Sequence, residues 1–167
     1  MSRLDVFVTV GMGRWPFDRL VAAAHELARD HDVFLQSGTS LVGGPAPAQP
    51  FVSPDEVATR IAQADVVITH GGNTVRTLQR AGRVPIVVAR EATRGEMGND
   101  HQVRYVFEEE AAARVVAAWG RLHRLDALVA EHAANEARLR HNLVTAPDPI
   151  ADRLSLDELL RPVGDRR

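Results

Sequence analysis

The chain has 167 residues, 45% hydrophobic and 25% charged, the size and composition of one folded domain with a real core. A formal net charge of -2 argues against a polyanion binder, so no nucleic acid partner is expected. With no cysteine, the chain has no disulfide, no thiolate metal site and no cysteine nucleophile.

Leu4 to Val10 is an apolar run ending at Gly11, the pattern of a buried parallel strand. Gly11-Met12-Gly13 breaks it, Pro16 suits a first helical turn, and Leu20, Val21, Ala24 and Leu27 follow helical spacing. Asp32 to Gln36 reads as a second strand, ending in Ser37-Gly38-Thr39-Ser40. The loop with Gly43, Gly44, Pro45, Pro47 and Pro50 has few apolar residues and is expected to be mobile. Ser53-Pro54-Asp55-Glu56 combines an N-cap, a proline at the first helical position and acids in the first turn, opening a helix that runs to about Gln63.

Asp65 to Thr69 is the next strand and ends at His70-Gly71-Gly72. A helix from about Thr74 to Ala81 follows, closed by Gly82. Val84 to Ala89 is a strand, Arg90 to Asn99 a polar loop, and a helix begins near Asp100. Val115 to Trp119 reads as a last strand. Leu122, Leu125, Val129, Leu139 and Leu143 mark one long helix, on which His123, His132 and His141 read as surface or rim residues. A tail over 143–167, with a short helix around Leu156 to Leu160, follows the domain of 1–142. Strands alternating with helices give an α/β parallel sheet with helices on both faces.

Ligands bind beyond the carboxyl ends of such strands. Three glycine turns lie there: Gly11-Met12-Gly13, Gly38-Thr39-Ser40 and His70-Gly71-Gly72-Asn73-Thr74. A helix starting after Gly72 offers open amides to an anion. Each turn alone is also how a chain merely reverses. None is a phosphate loop, since no Gly-Lys-Ser/Thr occurs, and Gly11-Met12-Gly13-Arg14-Trp15-Pro16 lacks the last glycine of a dinucleotide fingerprint. The segment from Arg90 to Gln102, with Glu96, Asp100 and His101, suits sugar hydroxyls and phosphate, or is a solvated loop. No Gly-x-Ser-x-Gly elbow and no metal-spaced histidine pair occur, so no metal and no cofactor are expected. Trp15 and Phe17 would stack on a ligand or fill core.

Val8-Thr9-Val10-Gly11, Pro16-Phe17-Asp18-Arg19-Leu20, Gln36-Ser37-Gly38, Ala64 through Gly72, Gly82 through Val88 and Asn99-Asp100-His101-Gln102 together resemble a known pattern. It is that of the donor-binding C-terminal domain of GT-B glycosyltransferases related to MurG. The likeness is greatest to the free-standing subunit of two-part enzymes, the PssE type and the dolichol-pathway N-acetylglucosaminyltransferase. The resemblance spans about residues 4 to 140. It implies a Rossmann-like sheet, one half of a GT-B fold. It also implies a UDP-sugar donor, inverting transfer without a tightly bound metal, and a membrane-associated acceptor-binding partner that supplies the general base. Carried over by position, Gly11, Gly38, His70, Gly71 and Gly72 frame the nucleotide and diphosphate, and Asp100 and Gln102 meet the donor sugar. Met12, Gly13, Thr39, Asn73, Thr74, Thr77, Arg90 and His101 complete the expected substrate-binding set.

Two positions depart from the pattern: Met12 stands where threonine is usual, and Thr77 where a ribose-gripping glutamate is usual. Arg76 beside it is a candidate phosphate contact. Thr77 cannot accept two hydrogen bonds from a ribose diol as a carboxylate does. Two alternatives follow: a self-contained enzyme cleaving a glycosyl or nucleoside bond, with Glu96 or Asp100 as acid or base, and a degenerate, non-catalytic partner subunit. Self-association into a homodimer stays open. The opening residues show no apolar leader pattern and no stretch has the roughly 20 apolar residues of a span, so the cytoplasm is the expected location, with membrane recruitment through the partner.

Overall fold

The computed structural model describes residues 3–143; the expected tail helix lies outside them. Six strands, β1 (Asp5–Thr9), β2 (Asp32–Gln36), β3 (Ala48–Gln49), β4 (Val66–His70), β5 (Ile86–Val88) and β6 (Val116–Ala117), form one sheet in the order β3-β2-β1-β4-β5-β6. Every pairing is parallel. The helices are α1 (Asp18–Leu27), α2 (Pro54–Gln63), α3 (Asn73–Arg80), α4 (His101–Ala111), α5 (Leu125–Ala130) and α6 (His132–Leu139).

The strands are apolar on both faces because both faces are covered, and alternation decides which helix each residue meets. Val6, Val8, Val66 and Ile68 point to one face, under Leu20, Val21 and Ala24 of α1 and Leu125 and Val129 of α5. Phe7 and Val67 point to the other, under Ile61 of α2 and Leu78 of α3. Further along that face, Val87 meets Val75 of α3 and Val106 of α4. Strand order reverses between β1 and β4, so the loops after them part and leave a crevice.

Ser53 caps α2 as its sequence requires, accepting a hydrogen bond from the Glu56 amide at 3.2 Å. The loop over 43–50 is pinned, not mobile as its composition suggested. Leu35 N donates to Pro47 O and Ser37 N to Gln49 O, each at 2.9 Å, making β3 an edge strand. Beneath it the buried His25 accepts from Ala46 N and contacts Val42 O, both at 3.2 Å. Backbone pairing and one histidine hold this segment, and neither needs apolar residues.

The long helix is also corrected. It breaks at Glu131 into α5 and α6. The halves pack on different surfaces: Leu125 and Val129 join the main core, while Leu139 packs with Val84 and Leu143. His132 is consequently buried, not on the rim, and neither ring nitrogen has a hydrogen-bond partner among the described residues.

Candidate functional site

The first and third glycine turns meet across the reversal point. Gly11 has φ +77°, and a Cβ there would sit 2.3 Å from His70 Nε2, so the residue must be glycine on both counts. A Cβ on Gly71 would lie 2.9 Å from Val106 Cγ2 and 3.2 Å from Gln102 Cβ. The bare Gly71 backbone is what lets α4 close on the turn. The second turn stands beside the first: Gly38 N donates to Pro50 O at 2.8 Å, and Thr39 Oγ1 donates to Arg14 O at 3.2 Å. Gly13 and Met12 are exposed on the loop between β1 and α1.

The first and third turns border a cavity of about 230 Å³, lined by Thr9, Gly11, Met12, Gln36, Val52, His70, Asn73 and Thr74 among others, while Gly13, Gly38 and Thr39 stand outside its lining. Its floor is polar, although the strands beneath are otherwise apolar. Thr9 Oγ1 donates to Gln36 Oε1 at 2.5 Å and accepts from Gly11 N at 3.2 Å. Gln36 Nε2 lies 3.3 Å from Met12 Sδ. Sequence reasoning missed Thr9 and Gln36 as site residues. The available signal was a buried polar residue at the last position of an apolar strand.

Helix α3 begins after Gly72 with no side chain capping its first amides. Asn73 and Thr74, its first two residues, line the cavity. The open end of the helix is therefore part of the wall, with the partial positive charge that favours an anion.

His70 is a fixed corner of this wall, held from behind by the buried Gln102. Gln102 Oε1 accepts from Arg90 N at 3.2 Å, which turns its amide nitrogen toward His70 Nδ1 at 3.1 Å. His70 Nδ1 thus accepts, and the proton of the neutral ring sits on Nε2. Burial first, and then the charge of Arg90, lower the His70 pKa to about 4. His70 is thus a neutral donor throughout the physiological range.

The unfolded chain, with the ordinary histidine value of 6.5, binds this proton more readily than the native state. The stability contribution is full above pH 6.5 and is lost as pH falls toward 4. NMR titration of the imidazole nitrogens should show one tautomer down to about pH 4.5, and the His70→Asn variant should show a flatter acid limb. A ring titrating near 6.5 would contradict the tautomer assignment.

The polar segment after β5 divides between framework and rim. Arg90 is 2% exposed, and its guanidinium donates to Val10 O, Trp15 O, Pro16 O and Glu96 O at 2.8–3.2 Å. It lies 4.5 Å from the Phe17 ring, which is core. Its donors tie loops together, a placement different from the expected phosphate contact. Glu96 is likewise buried: Arg19 grips both its oxygens at 2.9 Å and Glu91 N donates to Oε2 at 3.0 Å. A carboxylate so held is a poor proton shuttle, which counts against the acid or base role raised for it.

Asp100 and His101 stay exposed, just before Gln102. Asp100 Oδ1 accepts from Ala92 N at 2.8 Å, and the His101 ring bonds Asn99 Oδ1. Arg76 points away from the cavity, pairing with the buried Glu109 at 3.3 Å and lying over Tyr105, so it is not the phosphate contact considered from the sequence. Thr77 Oγ1 lies 3.4 Å from Asn73 O and faces a second, larger cavity between α2 and α3. Among the described residues no three histidine or acidic side chains are grouped to hold a metal ion, and no helix is long and apolar enough to cross a membrane.

No protein-family model and no curated protein matches the chain. Solved glycosyltransferase structures do. The glycosyltransferase of kitacinnamycin is 19% identical with a TM-score of 0.57, covering 85% of this chain and 39% of its own. The calicheamicin glycosyltransferase CalG4 is 16% identical with a TM-score of 0.55, covering 90% and 42%. The spinosyn forosaminyltransferase SpnP is 18% identical with a TM-score of 0.54, covering 95% and 44%. At these identities the likeness is one of fold: a Rossmann-like sheet matching one half of a GT-B glycosyltransferase. The chain spans about two fifths of the length of these structures.

Proposed function

We propose that this domain binds a nucleotide sugar, a UDP-sugar by its resemblance, and is the donor-binding half of a two-part inverting glycosyltransferase. The observation that carries the reading is the junction of three elements at one cavity: the open end of α3, the neutral His70 donor fixed by Gln102, and the side-chain-free Gly11. Together they offer donors to a diphosphate while leaving space for it. In this reading the Gly72, Asn73 and Thr74 amides and His70 Nε2–H hold the diphosphate. Thr9 and Gln36 meet the nucleoside side. The exposed Asp100 and His101, just before the buried Gln102, receive the sugar hydroxyls.

Transfer then proceeds by attack of an acceptor oxygen on the anomeric carbon from the open side, as the glycosyl–phosphate bond breaks and the diphosphate departs into these donors. The acceptor proton goes to a base on the partner half. The apolar rim of exposed Met12, Leu41 and Phe51 on the strand-end loops supports a partner, being surface that a second half would cover.

A thermal-shift panel of nucleotide sugars tests the reading. A cognate donor at a hundredfold excess over Kd adds about 2.7 kcal/mol, raising Tm by roughly 5–10 °C for a chain of this size. Pyrophosphate alone should give a smaller shift. No shift from any nucleotide sugar, alone or with the acceptor subunit present, would refute it.

A further inference from the structure

The polar cavity holds a buried hydrogen-bond donor with a weak partner. Gln36, the last residue of β2, is 2% exposed and lines that cavity. It sits on an interior strand, between β1 and β3, and its backbone carbonyl accepts from Val10 N at 3.2 Å. The side chain is held as firmly. The one proton of the Thr9 hydroxyl goes to Gln36 Oε1 at 2.5 Å, and the same hydroxyl accepts from Gly11 N. Reversing the amide would set its oxygen against Met12 Sδ, acceptor on acceptor. Gln36 Nε2 therefore faces Met12, and among the described residues the 3.3 Å contact with that sulfur is its only hydrogen bond.

A thioether is a weak acceptor, and this one is easily moved. Met12 is 59% exposed, on the loop between β1 and α1, and its side chain is unbranched and flexible. A carbonyl oxygen in place of the sulfur gives Nε2 a full hydrogen bond. An amino group in that place sets donor against donor and leaves both unsatisfied.

The position of Gln36 indicates which part of a ligand brings the oxygen. The ends of β2 and β4 lie two strands apart, about 10 Å across the sheet. With a diphosphate at His70 and the start of α3, Gln36 stands at the far end of the attached nucleoside. Val52, Pro54 and Val57 line the same cavity and carry no polar side chain. Apolar walls with one fixed donor suit a flat ring bearing a carbonyl on its outer edge.

We infer that Gln36 selects the nucleobase. Its amide donates to the carbonyl on the base edge farthest from the ribose, the C4 carbonyl of uracil or thymine, and Met12 covers the donor until the base displaces it. Cytosine carries an amino group at that position and is rejected. The inference rests on the nucleotide reading above and adds to it the residue that reads the base.

Calorimetric titration of UDP and of CDP into the full-length chain tests it, with the Gln36 side-chain amide followed by nitrogen-15 NMR. UDP should bind about tenfold or more tightly than CDP. The Gln36 amide pair, assigned by its loss in Gln36→Glu, should shift on saturation with UDP. Glutamate can keep the bond from Thr9 but turns an acceptor toward the base. In Gln36→Glu, UDP should weaken about tenfold or more and the preference over CDP should vanish or reverse. Equal binding of UDP and CDP by the unaltered chain, or a Gln36 amide unmoved at saturation with UDP, overturns the inference and leaves the nucleotide reading standing. Binding of neither nucleotide overturns both.

Discussion

Replacing Arg90 with methionine should cost about 3–5 kcal/mol, the largest effect of any single side chain near the crevice. Its guanidinium joins four backbone carbonyls from three separate stretches: Val10, Trp15 with Pro16, and Glu96. Methionine fills similar volume but leaves those carbonyls without donors in a dry setting. Lysine restores the charge and not the fork, so Arg90→Lys should recover only part of the loss. Thermal unfolding of the three proteins checks this, with Tm for Arg90→Met lower by roughly 6–20 °C. A fall under about 1 kcal/mol would mean that the loops are held by something else.

The second large effect belongs to Gly11→Ala. Its φ of +77° is a region that costs an L-residue about 1–2 kcal/mol. Its new methyl would also stand 2.3 Å from His70 Nε2, a distance at which something must move. The stiff backbone of the turn forces His70 to rotate away from Gln102. Stability should drop by about 2–4 kcal/mol, and nucleotide-sugar affinity by tenfold or more.

The double variant Gly11→Ala/His70→Ala separates the two causes. With the ring gone the clash is gone, and only the φ penalty remains. The two substitutions should therefore be non-additive by about 1–2 kcal/mol. Strict additivity in denaturant unfolding would show that Gly11 and His70 do not press on each other.

Much of this fold can be read before any coordinates. Short apolar runs of Val, Ile and Phe ending at glycine give β1 and β4, and Ser53-Pro54 marks the start of α2 to the residue. The hidden parts are held by long-range contacts with no local signature. β3 exists because the backbone of Pro47 and Gln49 finds β2. The break at Glu131 carries neither glycine nor proline, and arises because α5 and α6 pack on different clusters.

The site divides in the same way. Glycines at strand ends announce the crevice. The direction of a long side chain does not follow from its place in the sequence: Arg90, Arg76 and Glu96 are polar residues near the right loops, yet each turns inward or away to hold the framework. The buried Thr9–Gln36 pair is visible only once β1 and β2 lie side by side.

In the function proposed above, the crevice at the ends of β1, β2 and β4 takes a nucleotide sugar. Titrating UDP-glucose, and separately dTDP-glucose, into nitrogen-15-labelled protein and following each amide tests it most directly. Saturable shifts are expected, largest at Gly11, Gly38, Gly72, Asn73 and Thr74, with loss of the effect in Gly11→Ala. Absence of shifts at millimolar ligand, or saturable shifts confined to amides away from these turns, would contradict it.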